Sequence, residues 1–159
     1  MAATNTRYYN STMRGLGGID GTPGSLTSIL DKVTSLGYGE VTAINITVTN
    51  GIAKANFNLN ESFQVNSTIR VSGSNIAALN GDHLVTDASN SYASWPTGAP
   101  DGVTSTTVTV KGAPLGYSVA FTDTNKRGYT SSSVESTGHY ISVDDTTAKY
   151  ATIFCYEKM

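Results

Sequence analysis

The chain has 159 residues, enough for one domain that folds without a metal or disulfide staple. Only 14% of its residues are charged and the formal net charge is −2, with the lysines and arginines scattered. That excludes the concentrated positive face of a nucleic-acid binder, and the short apolar runs exclude a bilayer-spanning segment. What remains is rich in Ser, Thr, Asn and Gly, with Val, Ile, Ala and Tyr in short alternating runs. Such a composition suits pleated surfaces that are apolar on one side and coated with small polar groups on the other.

Residues 1–24 carry Gly15, Gly17, Gly18, Gly21, Pro23 and Gly24 and read as a flexible N-terminal arm. The opening residues lack the apolar core of a signal peptide, so synthesis in a cytoplasm is expected. One helix is expected over 25–37. Ser25 stands as its N-cap, Leu26, Ile29, Leu30, Val33 and Leu36 form its apolar stripe, and Gly37 ends it. Three turns do not hold alone in water, so the stripe is expected to lie on the sheet that follows. A hairpin comes next. Ile44, Ile46 and Val48 alternate with polar residues, Asn50-Gly51 provides a type I′ tip, and Ala53, Ala55, Phe57 and Leu59 alternate on the return.

Further strands are expected at Thr68–Ser72 (Ile69 and Val71 inward), His83–Thr86, Thr104–Lys111 (Val108 and Val110 inward), Tyr117–Phe121, Tyr140–Val143 and Lys149–Tyr156. Residues 87–103, with Trp95-Pro96 and Ala99-Pro100-Asp101-Gly102, and the polar, Ser/Thr-rich residues 122–138 read as two long loops. The whole predicts a mainly β fold: a small antiparallel sandwich or barrel with one short helix, forming a single β-rich domain over 25–159 behind the arm.

Catalytic patterns are missing. The two histidines, His83 and His139, have no second ligand at metal spacing, and neither a nucleophile elbow nor a His-Glu-x-x-His occurs. Asp144-Asp145 lacks calcium-loop spacing and reads as a solvated turn between strands. The single cysteine, Cys155, sits between Phe154 and Tyr156 and reads as a small buried hydrophobe. No enzyme activity, cofactor or metal is therefore expected. The aromatic residues carry more promise. Tyr8, Tyr9, Tyr92 and Trp95 are candidate partner contacts, with the Tyr150, Phe154 and Tyr156 group beside them, because such rings offer large contact area at low entropic cost. Trp95 has a competing reading as internal packing.

Several segments in order resemble the N-terminal region of a family of tailed-bacteriophage virion structural proteins. They are Arg7-Tyr8-Tyr9-Asn10-Ser11-Thr12-Met13, Pro23-Gly24-Ser25-Leu26, Leu36-Gly37-Tyr38-Gly39, Ala77-Ala78-Leu79-Asn80-Gly81, Val108 through Tyr117, Ile141 through Thr146, and Tyr156-Glu157-Lys158-Met159. The resemblance runs nearly end to end, and its specificity lies in the order of the pieces. It implies a non-catalytic part of a phage particle. Relatives continue past the final Tyr-Glu-x-Met into a second domain, so the resemblance implies here a lone module. That suits an accessory or decoration protein of head, neck or tail, binding copies of itself and other virion proteins, with no nucleic acid or membrane. The alternative expectation is a carbohydrate-binding or host-adhesion module of a phage particle, with Tyr92 and Trp95 stacking on sugars.

Overall fold

A computed structural model describes residues 7–58, 63–134 and 136–157. The fold is mainly β, with three antiparallel sheets and one short helix. Where the sequence reads as one β-rich domain, contacts group the chain into two compact units. The first comprises residues 7–9, Met13–Gly15 and Tyr38–Ala113; the second comprises Asn10–Thr12, Leu16–Gly37 and residues 114–157.

The first unit is a two-sheet sandwich. One sheet has the order β1-β9-β4-β5, from β1 (Tyr38–Ala43), β9 (Val108–Gly112), β4 (Thr68–Ser72) and β5 (Gly81–Leu84). The other has the order β6-β7-β3-β2-β8, from β6 (Asp87–Ser89), β7 (Tyr92–Pro96), β3 (Ile52–Asn56), β2 (Asn45–Thr49) and β8 (Gly102–Val103). Both contribute inward residues to one core: Ile46, Val48, Ala53, Ala55, Ala93 and Trp95 from one, Ile69, Val71, Val108 and Val110 from the other.

The expected hairpin is present. Asn50 and Gly51 have φ of 50° and 75°, which a type I′ turn needs. Ile46, Val48, Ala53, Ala55 and Phe57 are buried, Ile44 is exposed, and Leu59 lies outside the described residues. The expected inward faces of Thr68–Ser72 and of Val108 and Val110 are also found. By contrast, residues 87–103 are not a loop. They form β6, β7 and β8, and β7 pairs along its whole length with β3 through Ala53↔Trp95 and Ala55↔Ala93. Ala93, Ser94 and Trp95 are all buried, so a sheet position overrides the turn-forming neighbours Pro96 and Gly98.

The second unit has a four-stranded sheet in sequential order. Its strands are β10 (Tyr117–Asp123), β11 (Lys126–Ser131), β12 (Tyr140–Asp144) and β13 (Thr152–Tyr156). Residues 122–138, read as a loop, thus contain the end of β10 and all of β11. Thr124 and Asn125 join these strands, with Asn125 at φ 55°. The helix α1 (Ser25–Asp31) belongs to this unit, and its last turn widens to i→i+5 spacing over Lys32–Leu36. Gly37 ends it as expected, its N–H donating to the Lys32 carbonyl at 2.8 Å.

Two expectations for the helix change. Ser25 is not its cap: Gly24, at φ 87°, holds the N-cap position, and Asp145 caps from afar. The Asp145 carboxylate accepts from the backbone N–H of Leu26 (2.8 Å) and Thr27 (3.4 Å). The apolar stripe is also narrower than read: the helix lies on the C-terminal sheet of its own unit, and Leu36 is left out of that contact. Asp31 accepts from the Tyr129 hydroxyl (2.7 Å) and the Arg127 guanidinium (3.0 Å), and Leu115 N–H donates to the Val33 carbonyl. The buried positions are therefore Thr27, Val33 and Thr34, while Leu36 is 61% exposed.

In the N-terminal segment, residues 1–6 lie outside the described residues. Residues 7–24 have no helix or strand below Ser25, as read, yet Met13 and Leu16 are buried, so this stretch is packed rather than a free arm.

Candidate docking surface

The sequence-predicted contact residues are scattered. Tyr8 and Tyr9 anchor the N-terminal segment within the first unit. The Tyr8 hydroxyl donates to the Val65 carbonyl (2.9 Å) and that of Tyr9 to the Ala113 carbonyl (3.3 Å). The Tyr9 ring meets Tyr38 edge-on at 5.9 Å, and the Tyr38 hydroxyl donates to the Met13 sulfur. Burial in this cluster pushes the Tyr38 phenol up to about 12. Tyr8 stays 42% exposed and Tyr9 is half-buried. Tyr92 is half-buried on β7, its hydroxyl donating to Asp87 (3.0 Å) and its ring beneath the Lys54 ammonium at 3.8 Å. Trp95, expected as a contact candidate, is buried instead. It has no exposed surface, stacks on His83 at 5.1 Å and fills the sandwich core, so it offers a partner nothing.

The surface that sequence reasoning placed least sharply is the C-terminal sheet. Residues paired across neighbouring strands share a face. One face carries the rows Val119–Tyr129–Ile141–Cys155 and Arg127–Val143–Ile153. Tyr129 and Val143, each 1% exposed, sit at its centre, and Tyr129 and Arg127 hold the helix through Asp31. Burial, together with the hydrogen bond to Asp31, drives the Tyr129 phenol far above its ordinary range. Cover stops short of β13: Ile153 is 55% exposed, and Cys155 is exposed rather than buried as expected.

The opposite face carries the rows Phe121–Gly128–Ser142–Phe154 and Ser118–Thr130–Tyr140–Tyr156. Phe121, Phe154 and Tyr156 are 45%, 52% and 44% exposed, and the Phe154 and Tyr156 rings lie 6.1 Å apart. An aromatic side chain presents roughly 200 Å² when fully bared, so these three leave about 300 Å² of ring surface in water. A third row on this face is polar, with Lys126 and Asp144 in an ion pair at 2.8 Å.

The two edges of the sheet differ. The β10 edge is interrupted by a bulge between Val119 and Phe121 and ends on Asp123. Bulges and charges are devices that blunt an edge. The β13 edge has neither. Its register with β12 is unbroken from Thr152 to Tyr156, all five residues are exposed, and none is charged or proline. Among the described residues no strand pairs with this edge, and apolar side chains flank it on both faces.

Other chemistry is thin. His139 is exposed, its Nδ1 against the Thr137 hydroxyl, beside a shallow groove of about 320 Å³ lined by Tyr117, Ser131 and Ser136. Among the described residues no group of three or more His, Cys, Asp or Glu could hold a metal, and no helix is long and apolar enough to cross a membrane. Asp145, read as part of a solvated turn, is only 6% exposed and serves the helix. Comparison with family models, with curated proteins and with solved structures finds no match for this chain.

Proposed function

We propose that this chain is a structural protein of a tailed-bacteriophage virion. In this reading it is an accessory or decoration component of the head, neck or tail, and it assembles with copies of itself and with other virion proteins. The nearly end-to-end sequence resemblance supports the particle, and the unguarded, aromatic β13 edge is the observation that carries the docking role. A protein repeated by symmetry needs only modest contacts, since each is multiplied in the assembly. The sugar-stacking alternative loses Trp95 to the core and keeps only Tyr92, which is engaged by Lys54 and Asp87.

Mass spectrometry of purified particles encoded by the same genome tests the reading. The chain is expected among the stoichiometric components of mature virions. Its absence from washed, intact particles would refute the role.

A further inference from the structure

The β13 edge is self-complementary, and we infer that it pairs antiparallel with β13 of a second copy about a two-fold axis through Phe154, joining two four-stranded sheets into one of eight. This inference rests on the assembly role proposed above and names its first contact.

The argument starts from the two edges of the sheet. A heterologous join of β13 to β10 would grow rings or filaments. The β10 edge resists it, because the bulge between Val119 and Phe121 breaks the regular ladder there. The β13 edge carries five consecutive residues in unbroken register, Thr152-Ile153-Phe154-Cys155-Tyr156, with no charge to repel an identical strand. Centred on Phe154, the pairing uses all five. On the helix-bearing face it sets Ile153 opposite Cys155 of the second copy, and Cys155 opposite Ile153 of that copy. On the other face it sets Phe154 opposite Phe154, flanked by Tyr156 opposite Thr152. Every apolar side chain that the single sheet leaves bare on this strand then meets an uncharged partner, and the edge backbone groups gain a ladder.

The area fixes the strength. Ile153, Phe154 and Tyr156, at 55%, 52% and 44% exposure, offer about 300 Å² of apolar surface per copy. With Thr152, Cys155 and the strand backbone, the pair buries at most on the order of 1,000 Å² in total, in the range of weak, transient interfaces. The dimer is therefore concentration-dependent in dilute solution, and it is reinforced where symmetry on a particle holds copies side by side.

Sedimentation velocity over a dilution series up to about 1 mM tests the inference, on the full chain with thiols kept reduced. Wild type is expected to pass from monomer to dimer. Phe154→Lys places two like charges opposite each other at the axis and is expected to weaken the dimer about tenfold or more. Phe121→Lys, on the other edge of the same sheet, is expected to leave it unchanged. A second measurement reads the register. Ile153→Cys, mildly oxidised, is expected to give a covalent dimer through Cys155 of the second copy, whereas wild type, whose Cys155 faces Ile153, is not. A wild-type dimer that survives Phe154→Lys overturns the edge pairing and leaves the virion role standing. Wild type that stays monomeric throughout the series overturns both the pairing and self-association in solution, while mass spectrometry of particles decides virion membership separately.

Discussion

Removing the Asp145 carboxylate is expected to release the start of the helix. Two backbone donors depend on it, Leu26 N–H at 2.8 Å and Thr27 N–H at 3.4 Å, and Asp145 is 6% exposed, so water does not readily take its place. The nearer bond is short and charge-assisted, and the longer one adds little. Loss of an N-cap costs about 0.5–2 kcal/mol, and leaving a buried donor unpaired places Asp145→Ala near the top of that range, at about 2 kcal/mol. Hydrogen exchange followed by NMR reads the effect locally. The Leu26 and Thr27 amides should exchange about thirtyfold faster, since each 1.4 kcal/mol is roughly a factor of ten. Asp145→Asn keeps an acceptor oxygen and should recover most of the protection. The backbone bonds of Asp145, to Gly24 and Asn125, do not involve its side chain and should persist in both variants. If both amides in Asp145→Ala exchange at the wild-type rate, the long-range cap plays no part in holding the helix.

Two further outcomes are expected in the first unit. Gly51→Val should destabilise by about 1–2 kcal/mol in urea titration, because a β-branched residue resists the φ of 75° at the hairpin tip. Asp82 receives Arg70 on both carboxylate oxygens, at 2.6 and 3.0 Å, and Arg7 at 2.8 Å. Partial burial works against its charge, but these hydrogen bonds outweigh it and hold the carboxyl below its ordinary value. A depressed folded pKa contributes stability above the unfolded value of about 3.9, and that contribution is lost as pH falls through the folded pKa. Asp82→Asn should therefore lower the thermal midpoint at about pH 7, by an amount matching roughly 1 kcal/mol, and the gap from wild type should narrow steadily below about pH 4.

The parts of the fold legible in the sequence are those where local chemistry and burial agree. Asn50-Gly51 between two alternating runs specified a hairpin, and Ile69, Val71, Val108 and Val110 marked inward faces by period two. The rest depended on distant partners. Trp95 sits amid turn-formers, and only its pairing with Ala53 makes it a core strand residue. Thr124-Asn125 lacks a glycine, so the β10–β11 hairpin gave no turn signal; Asn125 adopts positive φ by itself. Ser25 had the right chemistry for a cap, but the acceptor comes from 119 positions away in sequence. The strand Thr152–Tyr156 is apolar on both faces: Phe154 and Tyr156 read as contact candidates, whereas Cys155 between them read as buried. That two-sided pattern cannot tell a central strand from an unguarded edge. Cys155 was misplaced for the same reason.

The second unit is assembled from Leu16–Gly37 and residues 114–157, with the whole of Tyr38–Ala113 threaded between them. During synthesis the helix leaves the ribosome early, but Tyr129, Arg127 and Asp145, which hold it, emerge more than ninety positions later. The sandwich can close while translation is still under way; the C-terminal sheet waits for the final strand, paying a large loop-closure entropy. A nascent chain stalled before β12 would thus carry a finished sandwich and an unsupported helix, and the β13 edge takes shape only after β1 to β12 have been made. Under the self-pairing proposed above, such late maturation would keep that edge from meeting a second copy before each one has folded.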